Sequence, residues 1–206
     1  MPAKVDDTSV SYSIGRRSYG KTRVGNCEFY FIDTRGDRQM HDVTQRDKPG
    51  VSMLGKPQRE WLLRSMKESD ADFRFVISTV PFMIPHSGAG GFEADAANKE
   101  EAWTGFFDER EALIAEWEKI GKRVFVMTGD LHNSFAIKVT DNVWEFCCGP
   151  HNSVNHVPVN DESDRPATGK FKFGPRECDI RWSSYILPDL PRLERLYPYF
   201  CVVQVN

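Results

Sequence analysis

The chain has 206 residues, 40% of them hydrophobic, which suffices for one globular domain with its own core and excludes a disordered or fibrous chain. Its 27 lysines and arginines against 30 aspartates and glutamates leave a net charge of −3, without the basic excess that holds nucleic acid phosphates or anionic lipid. No apolar run approaches the roughly 18–20 residues of a membrane span, and the opening MPAKVDDTSVSYSIG has no apolar core of the signal-peptide kind, so the expectation is a chain that stays where it is made unless an export segment precedes it.

The elements follow in chain order. Residues 1–25 read as a polar N-terminal segment, and 26–206 as a single domain. NCEFYFID, over 26–33, is a β-prone apolar run that predicts a buried strand ending in Asp33. Pro57 suits a first helical position, and Trp61, Leu62, Ser65 and Met66 share one face, which predicts a helix over 56–68. FRFVISTV, over 73–80, is a second strand stopped by Pro81, and strand–helix–strand implies a parallel crossover. The stretch from Pro81 to Gly105 is too long and irregular for a simple connection, and loops of that kind are functional or disordered. Asp108 and Glu111 have capping-box spacing ahead of a face of Leu113, Ile114, Trp117 and Ile120, with Gly121 as the stop. RVFVMT, over 123–128, is a third buried strand. A hairpin turning at Asp141-Asn142 follows, and then a Pro-rich, mostly irregular region before a last strand over 199–205.

Polar residues placed just after parallel strands converge on one edge of an α/β sheet, so Asp33, Thr79, Asp130 and His132 are the natural site candidates. Gly129-Asp130-Leu131-His132 is the strongest. Gly129 permits a sharp turn, and strand alternation would aim the Asp130 carboxylate and the His132 imidazole at one point. An oxygen and a nitrogen donor suit Fe, Mn or Zn but are only two of the ligands a site needs. The competing reading is that Asp130 caps a turn and His132 is a hydrogen-bonded histidine. Cys27, Cys147, Cys148, Cys178 and Cys201 are odd in number and contain no CxxC pair, which favours free thiols over a disulfide framework or a zinc ribbon. Cys147-Cys148 offers a soft-metal site or, more commonly, a buried thiol.

Read together, Phe31-Ile32-Asp33-Thr34-Arg35, Met53-Leu54-Gly55-Lys56-Pro57-Gln58-Arg59-Glu60-Trp61-Leu62, Phe75-Val76-Ile77-Ser78-Thr79-Val80-Pro81-Phe82, Trp103-Thr104-Gly105-Phe106 with Arg110, and Gly129-Asp130-Leu131-His132 resemble PhoD-like alkaline phosphatases in order and spacing over residues 26–150. The resemblance implies an α/β fold that is part of a four-layer α/β/β/α metallophosphoesterase sandwich. It also implies metal ions, Fe and Ca first with Mn or Zn as alternatives, that bridge the phosphate while a metal-bound hydroxide attacks phosphorus in line. On that reading Asp130 and His132 are catalytic metal ligands. Thr79 stands where purple acid phosphatases carry a ligand histidine, which removes one donor. Arg35 offers a planar fork to phosphate, or else pairs with Asp33 or Asp37. His86 and His151, in the loops HSGAGG and GPHNS, are candidates to donate to substrate or leaving group. Trp103, Phe106 and Phe107 are pocket walls or, more often for such residues, core.

The other ligand motifs of such phosphoesterases are not found before Asn26, so the chain reads as the C-terminal portion of the family's domain. Its substrate would be a phosphate ester, and nucleic acid and membrane are not expected partners. An uncovered sheet face would lead it to associate with a missing N-terminal half or with itself. Two functions remain open: a metal-dependent phosphomonoesterase or phosphodiesterase, and a catalytically inactive, degenerate phosphatase domain that serves as a protein-interaction module.

Overall fold

The computed structural model describes residues 18–39, 50–85, 102–155, 165–184 and 190–205. Alternation of half-buried and buried residues in CEFYF produces strand β2, Cys27–Phe31, which a turn at Gly25-Asn26 joins antiparallel to β1, Gly20–Val24. Helix α1, Gly55–Glu68, returns the chain to β3, Phe73–Ile77, parallel to β2. Helix α2, Phe107–Ile120, leads to β4, Arg123–Thr128, parallel to β3. The predicted hairpin forms as β5, Phe135–Lys138, and β6, Val143–Cys147, with β6 parallel to β4. A second hairpin, β7, Gly169–Phe173, and β8, Arg176–Ser183, adds to β5 and completes an eight-stranded mixed sheet in the order β1-β2-β3-β4-β6-β5-β8-β7. Among the described residues, no helix is long and apolar enough to cross a membrane.

The two helices pack on each other and on one face of the sheet. Tyr30, Val76, Val124, Val126 and Val143 meet Leu62, Met66, Leu113, Ile114 and Trp117 in the core. Each methyl-bearing side chain there loses its exposure almost completely, the main stabilising contribution for a domain of this size. Charged groups in this layer are bound on several sides. Arg74 donates to the carbonyls of Met66, Ser69 and Ala71 and so closes the C-terminal end of α1. Glu109 of α2 accepts from the Met53 and Leu54 amides at 2.6 and 3.2 Å, an anionic cap supplied to the start of α1 from another helix.

Three sequence expectations are corrected. Residues 199–205 form no strand, because the segment runs without a ladder across the sheet and its side chains are mostly exposed. Asp108 and Glu111 make no capping box: Asp108 accepts from the Gly50 amide and Glu111 pairs with Arg110 and Arg176, so the side chains are engaged across the fold. The strand over 73–80 ends at Ile77, since Ser78 folds back to bond its hydroxyl to the Val80 carbonyl. Gly121 does end α2 as expected, in the left-handed conformation with φ 67°.

Candidate functional site at the carboxyl edge of the sheet

Because β2, β3, β4 and β6 run in parallel, the residues that follow them lie along one edge. Backbone bonds stitch those ends together: Ile32 donates to Ile77, Ser78 to Met127 and Cys148 to Thr128. Asp33, Thr79, Asp130, His132 and His151 thus all belong to the same edge. His86 lies outside the described residues.

After β2, Gln58 of α1 grips the backbone of Asp33 on both sides, its oxygen accepting from the Asp33 amide at 2.7 Å and its amide donating to the Asp33 carbonyl at 2.8 Å. The Asp33 carboxylate accepts from the amides of Arg35 and Gly36, a local turn that commits it to backbone. Arg35 itself is exposed at this edge. Thr79 shares a 2.6 Å hydrogen bond with the buried Thr34, tying the ends of β2 and β3.

The loop after β4 carries the predicted pair. Asp130, not Gly129, takes the left-handed conformation, with φ 69°. A Cβ added at Gly129 would meet nothing, so the sharp turn comes from an aspartate held in a conformation it rarely adopts. Strain of that kind persists where surrounding structure over-determines the backbone. Here Cys147 of β6 is the underlying support: its thiol lies 3.4 Å from the Asn133 carbonyl and 3.9 Å from that of Gly129. These residues are in bends and not in a strand, so alternation does not set the directions of Asp130 and His132; Asp130 is exposed and His132 half-buried.

His132 Nδ1 sits 3.0 Å from the Val154 carbonyl and 3.2 Å from the Ser153 hydroxyl. With the carbonyl as acceptor, Nδ1 carries the proton, and the neutral ring's lone pair is then on Nε2, the arrangement that a ligating histidine needs. An imidazole held in this way has the donor chemistry that a divalent or trivalent metal takes from histidine. Among the described residues no three His, Cys, Asp or Glu side chains gather into a metal site.

Several residues with a positioning role went unread in the sequence. Ser134 Oγ accepts from the Gly149 amide at 3.1 Å and donates to the Gly149 carbonyl, while Ser184, after β8, accepts from the Ser134 amide and donates to Asn133 Oδ1 at 3.0 Å. Gly149 is obligatory there, since a Cβ would stand 2.4 Å from the Leu131 carbonyl. The directly adjacent Asn133-Ser134 was the available signal. Glu145 of β6, fully buried, accepts from the Phe82 and Met83 amides and the Thr128 hydroxyl, and Arg110 donates to the Phe82 carbonyl, so the chain leaving β3 is clamped from both sides. Burial pushes the Glu145 carboxyl above its ordinary range against those donors, and burial lowers the Arg110 guanidinium. Trp103 and Phe106 are buried core, Trp103 donating to Ser78 Oγ, and Phe107 packs on Phe173. His151 is exposed on the loop after β6.

The fold is thus an open α/β sheet with carboxylate, imidazole and guanidinium side chains along its carboxyl edge. Residues 1–183 match the PhoD-like phosphatase family, and the chain belongs to that family. Among solved structures it is similar to PhoD, with 22% identity and a TM-score of 0.58 over 74% of this chain and 33% of that one, a likeness of fold. It therefore spans about a third of the PhoD chain. Purple acid phosphatase PPD1 from yellow lupin (Lupinus luteus) seeds matches at 14% identity and a TM-score of 0.40, over 82% of this chain and 26% of that one. No curated protein matches the sequence.

Proposed function

We propose that this domain contributes to a metal-dependent phosphoric ester hydrolase, acting on phosphomonoesters or phosphodiesters. The observation that carries the reading is His132, whose Nδ1 is held against the Val154 carbonyl beside the left-handed Asp130. Asp130 and His132 are the metal ligands on this reading, with Fe and Ca the first choices and Mn or Zn the alternatives. A bound ion would supply Lewis-acid polarisation of a phosphoryl oxygen. The chain's own groups do the rest. The exposed Arg35 guanidinium orients the phosphate through paired N–H donors, and His151 or His86 holds a proton for the leaving group.

The sheet's second face supports the finer fold reading. Phe29, Phe75, Phe125, Phe146 and Trp144 form a continuous ladder of rings there, with centroid spacings from 4.9 to 6.2 Å. Such a surface suits a second sheet, which would complete a four-layer α/β/β/α sandwich and bring further ligands. The same face favours a second reading, a catalytically inactive phosphatase-like domain that binds a protein through its aromatic surface or associates with itself.

The test measures metal content by elemental mass spectrometry and hydrolysis of a chromogenic phosphate ester on one preparation. The expected result is bound metal with chelator-sensitive turnover, both lost in His132→Ala and Asp130→Ala while the thermal transition is kept. Retained metal stoichiometry in both variants would overturn the ligand assignment. No metal and no turnover in the wild-type chain would favour the interaction module.

A further inference from the structure

The five cysteines divide by position. Cys147 and Cys178 are buried in the sheet, and burial pushes the Cys178 thiol up to about 12. Cys148, just past the end of β6, is half-buried, and Cys201 is exposed.

The C-terminal segment 190–205 returns along the loop that follows β6. Asn155 Nδ2 donates to the carbonyls of Arg195 and Tyr197, each at 2.9 Å, and the Tyr199 amide donates to the Pro150 carbonyl at 3.1 Å. As the residue number falls from 155 to 150 on one side, it rises from 195 to 199 on the other, so the two segments run antiparallel. Cys148 and Cys201 each stand two residues beyond that last bond, in the same direction along the two segments. The local environment agrees: besides burial, the Cys201 thiol raises the Cys148 pKa, and the Cys201 backbone amide opposes that rise. Beyond Cys201, residues 202–205 lie along a groove on the aromatic face, lined by Phe73, Phe75, Phe125, Met127 and Phe146.

We propose that Cys148 and Cys201 are a disulfide site, and that its oxidation pins the C-terminal segment to the carboxyl-edge loop and across the aromatic face. A disulfide oxidant such as glutathione disulfide supplies the chemistry. The exposed Cys201 thiolate attacks one glutathione sulfur, forming a mixed disulfide and releasing one glutathione thiolate. The Cys148 thiolate then attacks the Cys201 sulfur and expels the second. Two thiol protons and two electrons end on two glutathione molecules. The pinned loop is the one whose Val154 carbonyl holds His132, so the bond joins the site's support to the C-terminal segment. The proposal does not rest on the phosphoesterase reading.

The experiment incubates the full chain with glutathione disulfide, traps remaining thiols by alkylation and maps peptides by mass spectrometry. The expected result is a cross-linked pair of peptides containing Cys148 and Cys201, two hydrogens lighter than their sum, with loss of two of the five thiols. Cys201→Ser, an exposed site remote from the core, should abolish the cross-link and leave Cys148 alkylated. A Cys201 that stops at the glutathione adduct, or that pairs with Cys27 or with a second copy of the chain, would overturn the proposal. Because the readout is covalent, its failure is separate from any failure of metal binding or turnover.

Discussion

The two faces of the central sheet obey different rules, although every strand contributes to both. Along β4, Val124 and Val126 point to the helices and are fully buried, while Phe125 and Met127 point to the other side and are half-buried. The helix side tolerates charge because each charged group is surrounded by partners: Arg74 by three carbonyls, and Glu145 by two amides and a hydroxyl. The opposite side is nearly all aromatic, and among the described residues what crosses its groove is the segment 201–205. Phe31, at its margin, is 46% exposed. One face is a finished core, and the other carries the composition of a core with rings that are mostly half-buried.

That contrast can be broken most severely inside β4. Val126→Asp should cost upward of about 4 kcal/mol, because it buries a carboxylate with no partner, and should remove the cooperative thermal transition. Phe125→Asp, one residue away, should cost only about 1–2 kcal/mol, since its carboxylate keeps contact with water. If the two variants melt alike, the faces are not energetically distinct.

Glu145→Gln should cost about 1–3 kcal/mol, because the amide's NH2 would face the Met83 N–H that the second carboxylate oxygen now accepts. The pH dependence follows from burial, which raises the folded-state pKa of Glu145 above its ordinary 4.5. The folded protein then holds this proton more tightly than the unfolded chain does. The group's contribution is fully present below pH 4.5 and is lost as pH rises through the folded value. Denaturant titrations across that interval should show a shallower decline for Glu145→Gln than for the wild type.

The smallest effect belongs to the exposed margin. Phe31→Lys should change stability by no more than about 0.5 kcal/mol while reducing self-association in sedimentation and the binding of a hydrophobic dye. Unchanged association would remove the aromatic face as the surface responsible.

Legibility in the sequence followed the same division. Buried parallel strands are continuous apolar runs, so β2, β3 and β4 were visible, and the spacing of Leu62, Met66, Leu113 and Trp117 disclosed both helices. β1, β7 and β8 were not, because GKTRV, GKFKF and RECDIRWS mix charge into short strands that are defined by their neighbours. The apolar 199–205 resembled a strand yet has no ladder partner. At the site, Asp130 and His132 were marked by their place after an apolar strand. Their support was hidden, since Cys147, Val154 and Ser184 reach the loop from 14 to 50 residues away in the chain.

The amino-acid sequence by itself determined the family, the parallel α/β order and the edge on which polar residues gather, because apolar periodicity and strand-end position are local properties. Only the tertiary structure decided that Asp130 bears the left-handed turn, that Val154 orients His132, that Glu109 caps a helix it does not belong to, and that the Tyr199 amide reaches the Pro150 carbonyl. Each of those depends on which distant backbone group arrives within hydrogen-bond reach, and that is set by how the segments pack.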